Sequence, residues 1–256
     1  MIIRHSALIF LVTLLVLTIG HRSTASNIER INYCVEFITV VQREDCEHEQ
    51  TIIGMTLKQL SSGDYNQTLH ARNTLLNVAN ESNACKQAIV RALMVAMDQP
   101  NLDFERDMSE YYLWREGSQL FGELKAVEAL DLLISHLDLT NGFHSGSMVF
   151  QPAILGVRQM GQAAVPKLAL ALQQHAKPSI RLAAAYCLTD IGGVAAMNAL
   201  MRAQEGESNS CVANFIRVSL KTFSYKTKSG ISFDNKAPQA NSERRQSWLM
   251  TFGCVE

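Results

Sequence analysis

The sequence feature that most constrains the fold is an internal repeat in the middle of the chain. Residues 117–130, 155–168 and 186–200 align, and each reads as the end of one helix, a turn and the start of a second helix. The equivalent leucines of the three units are Leu130, Leu168 and Leu200. Their separations of 38 and 32 residues are typical of helical repeats, whose units bury their apolar surface by stacking on one another.

The spacing of apolar residues predicts that each unit is a pair of helices. The second unit has an apolar stripe at positions i, i+3, i+4 and i+7, formed by Val165, Leu168, Ala169 and Leu172. Gly161 and Gly192 follow the last apolar residue of their helices, where a left-handed C-cap conformation favours glycine. Pro166 and Pro178 stand near helix starts, where a missing N–H costs nothing.

Residues 178–192 resemble the short HEAT repeat of bacterial proteins, in which a Val/Ile-Arg pair is followed by an Ala-rich helix and Leu-Gly-x-Ile-Gly. Residues 156–168 are similar to the second half of that motif, which ends on Ala-Val-x-x-Leu. The resemblance covers residues 110–205, and the first unit departs from it by lacking the Arg and the Gly-Asp turn. It implies an all-α, right-handed α-solenoid of HEAT-like helical hairpins, similar to exported bacterial HEAT-repeat proteins without an assigned activity.

The flanking segments predict further helices and divide the chain into four parts. The additional helices are expected over residues 28–41, 51–60, 64–78, 82–97, 109–124 and 208–223. Asp64 and Ser82 are the predicted N-caps of two of them. The four parts are a signal peptide (1–25), an N-terminal helical part (26–108), HEAT-like repeats with a terminal helix (109–223) and a polar C-terminal arm (224–256).

Residues 1–25 have the features of a secretory signal peptide. Arg4 precedes an apolar core, 7–19, which is shorter than the roughly 20 residues of a membrane span. Residues 23–25 are small and precede a cleavage site at Ser26. An uncleaved signal anchor is the alternative. The sequence therefore predicts export to the periplasm or the extracellular space, with no stable membrane span after the signal is removed.

Six cysteines follow the predicted cleavage site: Cys34, Cys46, Cys85, Cys187, Cys211 and Cys254. In an exported chain an even number is compatible with disulfides, although three full bridges allow 15 connectivities. We expect a disulfide between Cys46 and Cys85, because both lie near helix ends where the backbone can adjust. A bridge between Cys187 and Cys211 is disfavoured, because residues offset along neighbouring repeat helices exceed the Cα separation of about 7 Å that a disulfide tolerates.

Charge and motifs argue against several functions. Lys+Arg 23 against Asp+Glu 24 gives a net charge of -1, without the basic excess that nucleic acids require. The sequence has no Gly-rich phosphate loop, Gly-x-Ser-x-Gly or His-Glu-x-x-His, and we predict no cofactor, no metal and no catalytic residue. Di-iron hydroxylases built on HEAT repeats carry repeated His-Glu pairs, whereas His48-Glu49 occurs once. Arg158 and Arg181 are expected to bond neighbouring carbonyls or an acid such as Asp190.

Residues 138–151 interrupt the repeats with a Gly/Ser-rich loop that contains aromatic side chains. The candidate binding residues are Phe143, His144, Met148 and Phe150, with Trp114 one helix earlier as a wall of the site. The loop is either folded back with its rings buried or a contact loop. We expect a non-catalytic, extracytoplasmic scaffold that binds an unknown protein or peptide through this loop or the concave helix face. The alternative is a Cys/His-dependent accessory enzyme or lyase-like protein built on HEAT repeats, with His136 and His175 as further candidates.

Overall fold

The structure, a computed structural model, describes Cys46 and residues 50–98, 108–139 and 151–228. These residues form ten α-helices: α1 Gln50–Leu60, α2 Tyr65–Glu81, α3 Asn83–Met97, α4 Met108–Glu123, α5 Leu130–Ser135, α6 Pro152–Met160, α7 Val165–Gln174, α8 Pro178–Ile191, α9 Gly193–Gln204 and α10 Ser210–Lys228. Short 3-10 helices lead into two of them, Val127–Ala129 into α5 and Gly161–Ala164 into α7. No strand occurs in these ranges, so the described part is all-α, as predicted.

Side-chain caps start α2 and α3 at the predicted residues. Asp64 Oδ1 accepts a hydrogen bond from the Gln67 amide at 2.8 Å, and Ser82 Oγ accepts one from the Cys85 amide at 3.0 Å. Each cap satisfies an amide that the first turn of a helix leaves without an intrahelical partner. Both predicted caps are confirmed. The helix predicted over residues 28–41 lies outside the described residues.

The last helix, α10, begins two residues later than predicted, because Asn209 caps it. Asn209 Oδ1 accepts hydrogen bonds from the amides of Cys211 at 3.1 Å and Val212 at 3.2 Å. Ser208 therefore precedes the helix rather than starting it. The same helix continues to Lys228, into the segment that the sequence predicts to be a polar arm.

The helices make contacts with their next-but-one neighbours as well as with their nearest ones. Helices α2, α4, α6, α8 and α10 contact one another in succession, and we call them the first row. Helices α5, α7 and α9 do the same, and we call them the second row. Helices α1 and α3 both pack on α2 and α4. Trp114 and Phe121 of α4 are among the largest fully buried side chains, so the core of the described part includes the first row.

Helices α4 and α6 cross with their backbones close together. A Cβ atom at Gly156 would lie 2.2 Å from the carbonyl oxygen of Ser118, a separation that real structures do not tolerate. A Cβ atom at Gly122 would lie 2.8 Å from the carbonyl oxygen of Gly156. Glycine is therefore required here because the two helices approach more closely than any side chain permits.

The turns between paired helices depend on residues with positive φ. Gly161 (φ 64°, ψ −134°) and Gly192 (φ 72°, ψ −164°) both have positive φ, but they do not adopt the left-handed C-cap conformation predicted for them. Their ψ angles place them outside the left-handed helical region, in a region open essentially to glycine alone. The first unit lacks this glycine, and Lys125 takes the positive φ of 52° instead. There the amide of Ala126 closes the helix end by bonding the carbonyl oxygen of Phe121 at 3.0 Å.

Candidate functional site

Four of the five predicted contact residues lie outside the described residues: Phe143, His144, Met148 and Phe150. The structure does describe the start of their loop. Asp138 Oδ2 accepts a hydrogen bond from Ser179 Oγ at 2.8 Å and lies 3.7 Å from Lys177 Nζ. Both partners lie at the start of α8, so the first residue of the predicted loop is joined to the following unit. The contact role of the loop stays a prediction.

The fifth residue, Trp114, is fully buried in α4. Its ring centroid lies 4.8 Å from that of His136, whose Nδ1 is 2.9 Å from the carbonyl oxygen of Leu132. A buried ring of this size contributes mainly through packing. Trp114 is therefore part of the core of the described residues, and its predicted role as a wall of the loop site stays a prediction.

The predicted disulfide between Cys46 and Cys85 is present, with an S–S distance of 2.02 Å and a Cα–Cα distance of 5.4 Å. Cys211 is also disulfide-bonded, whereas Cys187 is free and buried, so the disfavoured Cys187–Cys211 pair does not form. Burial raises the pKa of the Cys187 thiol to about 12, although the positive charge of Arg158 acts to lower it. None of the described cysteines therefore supplies a thiolate nucleophile at neutral pH.

The described residues contain no cluster of ligands for a metal ion and no membrane-spanning helix. No group of three or more His, Cys, Asp or Glu side chains among them is close enough to hold a metal. None of the described helices is long and apolar enough to cross a membrane. The His48-Glu49 pair lies outside these ranges.

The two arginines of the repeat motif have the structural partners that the sequence predicts. Arg158 Nε donates to Asp190 Oδ2 at 2.5 Å, which joins α6 to α8. The same guanidinium lies 5.8 Å from the ring centroid of Tyr186, within the range of a cation–π contact. Arg158 is therefore a contact between consecutive units, and the second arginine, Arg181, has an acidic partner as well.

A buried ion cluster, which the sequence does not reveal, joins α2 to α4. Arg72 Nη1 lies 3.5 Å from Glu116 Oε2 and 3.5 Å from Glu123 Oε1. It also donates to Gln119 Oε1 at 2.6 Å. The Glu116 side chain is 2% exposed and its Oε2 accepts no hydrogen bond. Desolvation therefore raises the pKa of this carboxyl above its ordinary value, against the opposing effect of Arg72.

Large apolar side chains are exposed mainly along the second row. Of the seven such side chains in the described ranges, four lie on this row or on the 3-10 helix that leads into it. These four are Val127, Leu170, Val194 and Met201. In the first row only one described side chain belongs to this set, Tyr65 at the start of α2. Single exposed apolar residues are ordinary on a protein surface, but their concentration on one row is typical of an interaction face.

A polar pocket of about 490 Å³ lies between the C-terminal ends of α7 and α9. Its lining residues are Leu172, Gln173, Gln174, His175, Arg181, Arg202, Ala203, Gly206, Glu207 and Ser208. Leu172 and Ala203 are buried, whereas Gln174, Arg202 and Ser208 are exposed. The pocket is within the size range of sites that hold small groups, and the sequence does not reveal it.

Arg181 and Glu207 form a bidentate ion pair in this pocket. Arg181 donates to Glu207 through Nε and Nη2, both at 2.8 Å. Through Nη1 it also donates to the carbonyl oxygens of His175 and Ala176, at 2.8 and 3.1 Å. The hydrogen bonds from Arg181 lower the pKa of the Glu207 carboxyl, which keeps it ionised. Glu207 lies beyond the repeat motif, so only its partner Arg181 is identifiable from the sequence.

These features define the described part of the protein as all-α, with paired helices, a disulfide near its first helix, a row of exposed apolar side chains and a polar pocket. No protein family, no curated protein and no solved structure matches the chain. The functional argument therefore rests on the residues of the chain itself.

Proposed function

We propose that the protein is an exported, non-catalytic scaffold, in which HEAT-like helical hairpins stack as a right-handed α-solenoid and bind a protein or peptide. The observation that carries this proposal is the concentration of exposed apolar side chains on the second row. A stacked array of this kind presents a long, continuous helix face, and such faces commonly bind extended partners.

Contacts between consecutive units support the stacked arrangement. Three side chains bond to the unit that follows their own: Lys125 to the Gln159 carbonyl, Arg158 to the Asp190 carboxylate and Gln162 to the Gly192 carbonyl. The partners are 34, 32 and 30 residues apart, close to the period of the sequence repeat. A bond that recurs with the repeat period is expected when each unit stacks on the next in the same way.

The second row supports a binding face. Leu170 is 55% exposed and Met201 is 51% exposed, on two helices that contact each other. Fully burying an exposed side chain of this type contributes about 1.5–3 kcal/mol, so each of these half-exposed side chains contributes about 1 kcal/mol, and several of them together anchor a partner. The loop contacts predicted between residues 143 and 150 are a separate candidate surface of the same scaffold.

The disulfides support a location outside the cytoplasm. Cys46, Cys85 and Cys211 are all disulfide-bonded, and such bonds persist mainly in oxidising compartments. We expect N-terminal sequencing of the mature protein to begin at Ser26. A mature protein that begins at Met1 would favour the signal anchor over the cleaved signal peptide.

Site-specific photo-crosslinking in the native host tests the binding face. A photoreactive amino acid placed at Leu170 or at Met201 should crosslink to the same partner, because both side chains lie on the proposed face. The matched control is Lys221, which is exposed on α10 outside the second row. The variants Leu170→Asp and Met201→Asp should reduce capture of that partner while leaving the unfolding midpoint nearly unchanged, since both positions are exposed.

Two outcomes would contradict this proposal. Crosslinks of equal yield from Lys221 would indicate a surface without selectivity. A partner that is captured equally well by both aspartate variants would place the binding surface elsewhere.

A further inference from the structure

We infer that the pocket between α7 and α9 binds a carboxylate group, carried by an acidic residue beside an aliphatic one in the peptide that lies along the second row. This inference rests on the proposed scaffold function and names the chemistry of its partner. It follows from the charges in the pocket, from the rigidity of one wall and from the continuity of the pocket with the apolar residues of the row.

The pocket carries a positive charge without an acidic partner. Arg202 is exposed in the lining and makes no ion pair with any side chain in the described ranges. His175 Nδ1 accepts a hydrogen bond from the Lys177 amide at 3.2 Å, so the neutral ring carries its proton on Nε2 and offers a donor. A carboxylate is the ligand that accepts from both kinds of group, and a charge-assisted hydrogen bond from an arginine is among the strongest available.

The acidic side chain in the pocket does not cancel that charge. The Glu207 side chain is 4% exposed, and its carboxylate accepts from Arg181 twice and from the Asn209 amide at 2.8 Å. The ion pair of Arg181 and Glu207 is therefore neutral as a unit. It also holds one wall of the pocket in a fixed geometry, because a bidentate pair restricts both side chains. Arg181 makes four hydrogen bonds with the five N–H donors of its guanidinium. Arg202 is therefore the principal donor left for a ligand.

The partial negative charge of the two helix C-termini at the pocket opposes an anion, and hydrogen bonds to two carbonyl groups there reduce this effect. The His175 carbonyl oxygen accepts from Arg181. The Ala203 carbonyl oxygen accepts from the amides of Gly206 and Glu207, at 3.2 and 3.1 Å. The negative partial charge of a helix C-terminus resides on such end groups, and hydrogen bonds to them reduce its effect on a ligand.

The pocket continues the apolar surface of the row, which identifies the neighbour of the acidic group. Leu170 stands one helical turn before Gln174 on α7, and both are exposed. The buried Leu172 forms part of the lining. An aliphatic side chain of the peptide therefore contacts Leu170 while the adjacent carboxylate reaches Arg202.

Titration of the 15N-labelled protein with two dipeptides, followed by NMR, tests this assignment. The probes are N-acetyl-Leu-Glu-amide and its neutral analogue N-acetyl-Leu-Gln-amide. The glutamate probe should shift the amide signals of His175, Gly206 and Ser208, with a dissociation constant in the range of about 1 mM. The neutral analogue should bind about tenfold more weakly, which is the loss expected for one charge-assisted hydrogen bond. Raising the salt concentration should weaken binding of the glutamate probe.

The decisive variant is Arg202→Gln, with Arg217→Gln as the matched control. Arg217 is exposed on α10 and bonds Asn214, outside the pocket. Arg202→Gln should weaken the glutamate probe about tenfold, and Arg217→Gln should leave it unchanged. Equal binding of both dipeptides, or an Arg202→Gln variant that binds as the wild type does, would overturn the inference.

A third titration, with succinate, distinguishes a peptide ligand from a free carboxylic acid. Succinate offers carboxylates without a peptide or an aliphatic side chain, and it should bind more weakly than the glutamate dipeptide. Succinate that binds as tightly would overturn the peptide assignment.

The crosslinking result is independent of these titrations: crosslinks from Leu170 and Met201 without dipeptide binding would retain the scaffold and reject this pocket chemistry. Dipeptide binding without crosslinks would retain the carboxylate pocket and reject the scaffold.

Discussion

The N-terminal region (Cys46 and residues 50–98) and the repeat region (108–139 and 151–228) are both helical, yet they are held together by different means. In the N-terminal region a disulfide ties Cys46 to the first turn of α3, and side-chain caps start α2 and α3. In the repeat region α6, α7, α8 and α9 start without any side-chain cap. Proline at helix starts and glycine at helix ends set these turns instead.

The difference follows from what each helix end meets. In the repeat region, polar groups of one unit bond carbonyl oxygens at or near the turns of another unit, as Gln162 does to Gly192 at 3.0 Å. Such bonds satisfy carbonyl groups at helix ends, whereas at the starts of α6, α7 and α8 a proline removes one amide that a side-chain cap would otherwise satisfy. The N-terminal region has no recognisable repeat motif and relies on local caps and a covalent crosslink. The cluster around Arg72 is the junction of the two regions.

The largest effect should follow from removing the disulfide of the N-terminal region. The bridge joins residues 39 positions apart, and by loop entropy the double variant Cys46→Ala/Cys85→Ala should lose about 4 kcal/mol of unfolding free energy in urea. Hydrogen exchange should accelerate most in α1, α2 and α3. The control is Cys187→Ala in the repeat region, a buried free cysteine, with a loss of about 1 kcal/mol. Equal acceleration of exchange in α6–α9 would show that the two regions are not stabilised separately.

A somewhat smaller effect should follow from adding one methyl group to the repeat region. Gly156→Ala forces a Cβ atom to within 2.2 Å of the Ser118 carbonyl oxygen, so α4 and α6 must separate. We expect a loss of about 3 kcal/mol in chemical denaturation. Two glycines serve as controls, since a Cβ atom at either meets nothing within 4 Å. Gly206→Ala should change stability by less than about 0.5 kcal/mol, and Gly161→Ala should cost about 1–3 kcal/mol through its backbone conformation alone. A Gly156→Ala variant as stable as Gly206→Ala would refute the close crossing.

Local features of the structure were predictable from the sequence because their signals are local. The caps Asp64 and Ser82, the positive φ of Gly161 and the pairing of Cys46 with Cys85 all depend on residues near helix ends. The partner of Arg158 was predictable because the repeat motif places an acid in the next unit.

Contacts between distant elements were not predictable in the same way. Arg72 and Glu116 have no shared motif, and only the packing of α2 on α4 brings them together. Gly156 belongs to the repeat motif, but the sequence does not show that Ser118 is the backbone it meets. The pocket depends on Arg202 and on the turn after α9, which lie at the end of the motif or beyond it. The loop contacts predicted between residues 143 and 150 lie outside the described residues.

The smallest expected effect is a difference in how pH changes the contributions of two glutamates to stability, Glu116 at the junction and Glu207 in the repeat region. Glu207 accepts three hydrogen bonds, and its pKa is lowered on folding. Its contribution to stability is therefore present above the unfolded pKa and is lost as pH falls through the folded pKa. Glu116 lies 3.5 Å from Arg72 with one oxygen that accepts no hydrogen bond, and its pKa is raised. Its contribution is present below the unfolded pKa and is lost as pH rises through the folded pKa.

Replacing each carboxylate by its neutral isostere should therefore have opposite consequences between about pH 3 and pH 7, the window around the ordinary glutamate pKa. Relative to wild type, Glu207→Gln should be most destabilising at pH 7 and less so at pH 3. Glu116→Gln should be best tolerated at pH 7, where the wild-type carboxylate is charged and incompletely bonded. Urea unfolding at several pH values measures both differences, and the double variant should show their sum because the two sites share no partners. The side chains of both glutamates are almost fully buried, so burial alone does not distinguish them. Parallel pH profiles for the two variants would mean that hydrogen bonding does not distinguish them either.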